Sequence, residues 1–194
     1  MTGPRIPEAP DDGPTADLLR VRRGGRLSAL DRLLLHSPPV AEGWNALLGA
    51  LRSGTTLSAD LRELIILRIA VLNGAAFEWT AHEPIGRRAG LTDPQLAALR
   101  ETGAAGSPVW TPVQAAVLAF TDASAGAVAV PDPVFAAVRE HLDDRQVVEL
   151  TALVGGYAMV SRFLVALEVP SARDRRRRGG VRRGGPRDWD WAAR

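Results

Sequence analysis

The stretch LRELIILRIAVLNGAAFEWTAHEPIG, residues 61–86, decides the fold, because it holds two helical segments and the turn that joins them. Its first part is apolar on nearly every side of a helix, which is the pattern of a helix buried in a core. Asn73-Gly74 is a good helix stop, since glycine tolerates the left-handed conformation that ends many helices. The stretch therefore predicts two antiparallel neighbouring helices, the first of them buried.

The rest of the folded part continues the helical pattern. Segments rich in alanine and leucine alternate with Gly, Pro, Ser and Asp signals. Ser58, Thr92 and Asp143 each offer a side-chain oxygen to the first turn of a helix. A shift of 83 positions places residues 61–71 on residues 144–154, which is a weak internal repeat and would fit an approximate twofold. The fold class is all-α, with helices expected near residues 16–23, 27–35, 40–52, 58–72, 75–89, 92–102, 111–125, 131–141 and 143–167.

Composition excludes several classes of protein. The chain has 194 residues, 46% of them apolar, no cysteine, and arginine as its only basic residue apart from three histidines. Disulfides, thiolate nucleophiles, zinc–cysteine sites and lysine Schiff bases are therefore excluded. The length suits one domain. No run reaches the roughly 18 apolar residues of a membrane span, and the N-terminus has no signal-peptide pattern, so we expect no membrane partner and a cytoplasmic protein.

Charge divides the chain into three parts. Residues 1–14 are predicted to be a disordered leader, residues 15–170 the helical domain, and residues 171–194 a disordered tail rich in arginine and glycine. The tail carries nine arginines and three aspartates, a net charge of +6, whereas the first 170 residues carry a net charge of −4. This tail is either a solvated extension or an arm for nucleic acid or an acidic partner. The second reading makes the protein a non-catalytic helical scaffold, which is the alternative to an enzyme.

Three polar residues of the quoted stretch are candidates for chemistry. Glu63 lies within the apolar helix, where a carboxylate is costly unless it is paired or functional. Glu78 and His82 are four residues apart and share one face of the next helix. Counting outward from Gly74 places Glu63 opposite about residue 85, within one turn of His82. Two carboxylates beside an imidazole form an acid/base set, although a surface pair with a separate helix N-terminal acid is the plain alternative.

Other residues are candidates for a substrate pocket. Trp79 could wall such a pocket or belong to the core. Arg68 could hold a carboxylate, or form an ion pair with Glu63 or Glu149. Three further aromatic residues, Trp44, Tyr157 and Phe163, are pocket or interface candidates.

The segment GTTLSADLRELIILRIAVLNGAAFEWTAHEPIGRRAGLTDPQLAALR, residues 54–100, resembles the carboxymuconolactone decarboxylase family, which shares an all-helical fold with alkyl hydroperoxidase D. The flanking residues 36–51 and 153–169 resemble it too. The peroxidase branch has a Glu, then Cys-x-x-Cys, then a His four residues later. Glu63 and His82 match the Glu and the His, whereas Ala75 and Glu78 occupy the cysteine positions. Thiol peroxidase activity is therefore excluded.

The resemblance implies cofactor-free proton transfer, as in the decarboxylase-like branch. His82 would be the general acid/base, Glu63 its partner or a second base, and Glu78 a further proton donor or substrate-orienting group. Arg68 or Arg87 would anchor a second carboxylate of a small anionic carbonyl or lactone. A decarboxylation, isomerisation, dehydration or cyclisation would use the same groups, and a metal held by the His/Glu/Glu set is a further alternative. Family relatives form trimers or hexamers, so we expect a homo-oligomer.

Overall fold

The computed structural model describes residues 3–171, which fold into nine α-helices and one short 3-10 helix, with no strand in that range. The all-α prediction is confirmed, and the predicted helices agree with the observed ones to within a few residues. Their bounds are α1 (Pro14–Arg22), α2 (Ala29–Leu34), α3 (Pro38–Ser53), α4 (Ala59–Leu72), α5 (Ala76–Arg88), α6 (Asp93–Ala98), the 3-10 helix (Ala104–Gly106), α7 (Pro112–Ala127), α8 (Asp132–Arg139) and α9 (Asp144–Ala166).

Helix α4 is the centre of the bundle. It packs against α5, α7 and α9, while α3 bridges α1, α2 and α9. Its buried residues cover every side of the helix, as the apolar sequence predicted; they are Leu61, Glu63, Leu64, Ile65, Ile66, Leu67, Arg68, Ile69 and Ala70. The two helices that carry the weak repeat, α4 and α9, contact each other directly.

Helix starts follow the sequence signals in most places. Thr92 and Asp143 both form reciprocal capping boxes with the glutamine three residues on. Ser58 is the N-cap of α4, but its side chain makes no capping hydrogen bond, so that detail of the prediction is wrong. Asp60 in the same first turn accepts a hydrogen bond from Gln114 of α7 instead, so the start of α4 is held by a neighbouring helix.

The turn at Asn73-Gly74 ends α4 as expected, with Gly74 at a φ of 62°. The chain then reverses into α5, and the two helices approach closely at Gly86. A Cβ atom on Gly86 would lie 3.6 Å from Glu63 Cβ and 3.0 Å from Leu67 Cδ1. Glu63 is therefore opposite residue 86, one position from the expected residue 85, and the absence of a side chain at Gly86 permits that contact.

Helix α9 has the length and mean hydropathy, 1.4, of a membrane-crossing helix, but 56% of that window is buried within the protein. Such burial is typical of a core helix in a bundle. At Gly156 it approaches α3 closely, because a Cβ atom there would lie 2.7 Å from Leu51 Cδ1.

Residues 3–13 precede α1 and contain no helix. Arg5 forms an ion pair with Glu168 at 2.8 Å, the backbone N–H of Ala9 donates to the carbonyl of Arg32, and His36 Nε2 lies 2.8 Å from the carbonyl of Pro7. The proposed leader therefore contacts α2 and the end of α9. The arginine-rich tail lies outside the described residues, and its nucleic-acid role stays a prediction.

Adjacent glycines of α9 provide a matched test of the α3–α9 contact. Gly155 has open space around a built Cβ, so Gly155→Ala is expected to stabilise the protein by up to about 1 kcal/mol through helix propensity. Gly156→Ala forces Leu51 to move, and we expect it to be about 1–3 kcal/mol less stable than Gly155→Ala. Urea unfolding measures both variants; equal stability would contradict the close approach.

Candidate active site

Glu63 of α4 and His82 of α5 meet in the interior. His82 Nδ1 lies 2.8 Å from Glu63 Oε2, and the two residues are 1% and 6% exposed. The contact crosses the α4–α5 hairpin at the level where Gly86 lets the helices approach. Glu63 is therefore not a helix N-terminal acid in solvent, which was the plain alternative, but a buried partner of the imidazole.

Glu78 approaches the same imidazole from the preceding turn of α5. Its Oε2 lies 3.3 Å from His82 Nε2, and the residue is 3% exposed. This contact is longer than the Glu63 contact, and no donor other than His82 lies within hydrogen-bond reach of Oε2 among residues 3–171. Because a carboxylate oxygen has two lone pairs, Oε2 can accept one more hydrogen bond from a group outside the chain. The sequence placed all three residues together, and the structure does so.

The environment fixes the charge states of this set. Burial alone lowers the pKa of His82, but the charge of Glu63 and the hydrogen bonds to both carboxylates outweigh burial and hold that pKa well above its ordinary value. Burial alone raises the pKa of Glu78, yet the contact with His82 and the charges of Arg52 and Arg23 leave it lowered. His82 is therefore an imidazolium at neutral pH and lies between the carboxylates of Glu63 and Glu78.

Tyr157 of α9 completes the set on another side. Its ring packs edge-on against His82, with ring centroids 5.4 Å apart at an interplanar angle of 89°, and the residue is 1% exposed. Its hydroxyl accepts a hydrogen bond from Arg52 Nε at 2.7 Å. Tyr157 was a pocket or interface candidate in the sequence, and it borders the acid/base set.

Arg52 is the residue that sequence reasoning missed. It ends α3, thirty positions before His82, in a segment that reads as an ordinary helix C-terminus with a cation. No local spacing joins it to Glu78 or Tyr157. The close packing of α3 on α9 at Gly156, next to Tyr157, brings the guanidinium to the tyrosine hydroxyl.

Arg68 does not face the acid/base set. Its guanidinium binds Asp122 of α7 through two hydrogen bonds of 2.6 and 2.9 Å, and donates to the carbonyls of Leu99 and Glu101. The ion-pair interpretation is therefore correct, but its partner is Asp122 and not Glu63 or Glu149. Four of the five N–H donors of Arg68 are occupied, which leaves little for a substrate carboxylate.

The other predicted substrate residues also have structural partners. Arg87 lies at the surface, where it binds Glu83 and Asp93. Trp79 donates from Nε1 to Glu83 at 3.0 Å, and the Arg100 guanidinium lies 3.8 Å from its ring centroid. Trp44 packs against Phe163 with centroids 5.3 Å apart. These contacts hold α5 and α3 in place.

Metal coordination finds little support in this geometry. Residues 3–171 contain no group of three or more His, Asp or Glu side chains arranged to hold a metal ion. Both ring nitrogens of His82 are directed at carboxylates, and an imidazolium has no lone pair for a metal.

Comparison with known proteins agrees with the fold. Residues 38–130 match the model of the carboxymuconolactone decarboxylase family. YdfG of Bacillus subtilis, itself uncharacterized, is 26% identical over 115 residues, which span 58% of this chain and 77% of YdfG.

Two solved structures extend the comparison to three dimensions. A protein of unknown function from Agrobacterium tumefaciens, provisionally named for the antioxidant defence protein AhpD, is 27% identical with a TM-score of 0.65, covering 72% of this chain and 94% of its own. The debrominase Bmp8 in complex with 2,3,4-tribromopyrrole has a TM-score of 0.72 at 16% identity, covering 90% and 94% of the two chains; this likeness concerns the fold. Residues 38–130, just under half of the chain, thus carry the pattern of the carboxymuconolactone decarboxylase family, and the described residues have an AhpD-like fold; the sequence contains no cysteine.

The charge state of His82 predicts a pH dependence of stability. Unfolded histidine titrates near pH 6.5, whereas folded His82 keeps its proton to higher pH because its pKa is raised. Its contribution is therefore complete below pH 6.5 and declines as the pH rises through the folded pKa, by at most about 1.4 kcal/mol per pH unit.

Urea unfolding of the wild type and of His82→Gln between pH 6 and 9 measures this contribution. We expect the stability advantage of the wild type to shrink as the pH rises. An advantage that stays constant or grows over this range would contradict an imidazolium in the folded protein.

Proposed function

We propose that this protein is a cofactor-free acid/base enzyme that transfers protons on a small carbonyl or lactone carboxylate, with decarboxylation as the leading reaction. One observation carries the proposal: a buried imidazolium lies between two buried carboxylates, and the Glu78 oxygen that faces it has no other hydrogen-bond donor in the described chain. Buried titratable groups with shifted pKa values are costly to keep, and they are concentrated at functional sites.

The protonation states of Glu63, His82 and Glu78 indicate a different role for each residue. Glu63 Oε2 accepts from His82 Nδ1 and stabilises the imidazolium, so it is a positioning residue. His82 Nε2 faces the Glu78 carboxylate, and the imidazolium proton can pass along this 3.3 Å contact to Glu78, which delivers it to the substrate. The Glu78–His82 pair is then a proton donor, and the buried His82 imidazolium supplies the proton.

In a decarboxylation, the bond between the α-carbon and the carboxylate breaks, and CO₂ leaves. The electron pair of that bond moves into the adjacent carbonyl system and forms an enolate. Protonation of the enolate carbon by the Glu78–His82 pair forms the new C–H bond, and solvent returns the proton to the site. The nearby cations Arg52 and Arg23 would stabilise the enolate charge before it is quenched.

The reaction is proposed as a class because the fold alone permits other chemistry. Bmp8, which has the same fold, is a debrominase. An isomerisation or a dehydration would use the same proton-transfer pair in both directions. A peroxidase reaction through cysteine thiols is excluded by the cysteine-free sequence.

Catalytic variants test the proposal. Carboxylated lactones and β-keto acids are supplied as a panel, and CO₂ release is measured. His82→Asn and Glu78→Gln are expected to lower kcat by a factor of about 10²–10⁴, which is the usual contribution of positioned acid/base groups. Glu83→Gln is the matched control, because Glu83 neighbours His82 in α5 but binds Trp79 and Arg87.

Circular dichroism confirms that each variant is folded. Wild-type turnover retained in both His82→Asn and Glu78→Gln would overturn the assignment, as would the absence of proton-transfer activity on every member of the panel.

We also propose that the protein is a cytoplasmic homo-oligomer, a trimer or hexamer. Apolar side chains that are exposed on helix faces within residues 3–171 support self-association; they include Leu18, Val21, Val40, Leu47, Val148, Met159 and Val165.

Light scattering coupled to size exclusion is expected to give a mass of three or six times the 20.7 kDa chain. A mass of 20.7 kDa at every concentration tested would contradict self-association.

A further inference from the structure

A cluster of arginines lies beside the acid/base set, and neither the acid/base chemistry nor the sequence motif accounts for it. Arg22 and Arg23 come from the end of α1, and Arg52 comes from the end of α3. Arg52 reaches the set through Tyr157, whose ring contacts His82; the Arg52 guanidinium carbon lies 5.7 Å from the tyrosine ring centroid. Arg52 thus lies beside the tyrosine that contacts His82.

Arg23 and Arg22 differ in how their charges are compensated. Arg23 binds the buried carboxylate of Asp31, with Nη2 to Oδ1 at 2.9 Å. Arg22 donates from Nε to the amide oxygen of Asn45 and lies along α3 at Gly49, where a Cβ atom would be 3.4 Å from its Cδ. No carboxylate is within hydrogen-bond reach of its Nη2, which is buried and has no hydrogen-bond partner among residues 3–171.

The partners of the nearby charged groups indicate what would satisfy Arg22. The nearby carboxylates have other partners, since Asp31 binds Arg23 while Glu63 and Glu78 contact His82. The Arg22 guanidinium forms no ion pair with a carboxylate of residues 3–171 through its buried Nη2, which is costly without an anion. Burial and repulsion by Arg23 and Arg52 lower the pKa of Arg22 to about 10, so Arg22 still carries its charge at neutral pH.

Among residues 3–171, Arg22 Nη2 is a buried donor without a hydrogen-bond partner, and Glu78 Oε2 is a buried acceptor whose neighbour is His82 Nε2. Arg52 joins the arginines to the acid/base set, since it donates to Tyr157, whose ring contacts His82. A ligand carboxylate would satisfy the donor on Arg22.

We propose that Arg22 and Arg52 form the anion subsite of the active site and bind a carboxylate of the substrate. Guanidinium groups bind carboxylates through two parallel hydrogen bonds, which fixes orientation as well as position. The subsite takes the place that the sequence gave to Arg68 and Arg87. The inference rests on the proposed function for the identity of the site, but it concerns binding, which is measured without turnover.

Calorimetric titration tests the subsite with two carboxylate probes, succinate and benzoate, and with their uncharged counterparts, succinamide and benzamide. The full-length wild type is expected to bind at least one carboxylate saturably and neither amide. Arg22→Gln is expected to weaken carboxylate binding about tenfold or more, because a charged hydrogen bond is lost. Arg87→Gln removes the same charge from the surface and is expected to bind like the wild type.

Arg22→Lys supports the test if Arg22→Gln folds poorly. Lysine keeps the positive charge but lacks the two parallel N–H donors of a guanidinium, so this substitution should weaken carboxylate binding severalfold. Failure of the wild type to bind either carboxylate, or equal affinity in the wild type, Arg22→Gln and Arg22→Lys, would overturn the subsite and leave ordered water as the partner of Arg22 Nη2.

The two proposals fail separately. If carboxylates bind through Arg22 but no lactone or β-keto acid is turned over, the catalytic proposal falls and the subsite remains. If His82→Asn abolishes turnover while Arg22→Gln binds carboxylates like the wild type, the subsite falls and the catalytic proposal remains.

Discussion

The contact between His82 and its two carboxylates is the constraint on which the rest of the site depends. An imidazolium in the interior is tolerated only because Glu63 bonds one nitrogen and Glu78 faces the other. Each carboxylate in turn is tolerated because the imidazolium is present. The same contact ties α4, the centre of the bundle, to α5, so the charge state of the site and the packing of the central hairpin are coupled.

Small residues make this arrangement geometrically accessible. Gly86 allows α5 to approach α4 at the level of Glu63, and Gly156 allows α9 to approach α3 beside Leu51. The first approach forms the Glu63–His82 contact, and the second brings Arg52 to the Tyr157 hydroxyl at 2.7 Å. The polar site is therefore assembled by two close helix contacts, and its precision depends on apolar packing around glycine.

The sequence predicted the helices and the Glu63–Glu78–His82 set because both depend on local rules. Helical periodicity sets the Glu78–His82 spacing, and counting from the Asn73-Gly74 turn placed Glu63 within one position of its observed neighbour. The partners of the arginines depend on contacts between distant segments: Arg68 and Asp122 are 54 positions apart, and Arg52 and Tyr157 are 105 apart. An arginine near a helix end reads as a solvated cation in sequence, so nothing local distinguishes Arg22 or Arg52 from Arg87.

Glu78 stands at a cysteine position of the peroxidase pattern, and its charge is compensated by the arginine cluster. In the peroxidase-like pattern a cysteine occupies this position, whereas here a carboxylate adds a buried negative charge beside His82. That charge contributes to the raised pKa of His82 through their contact, and it requires compensation, which Arg52 and Arg23 supply by lowering the pKa of Glu78. Replacing the thiol by a carboxylate therefore does more than remove redox chemistry. It also places an imidazolium between two carboxylates, next to arginines of which Arg22 has a buried donor without a hydrogen-bond partner among residues 3–171.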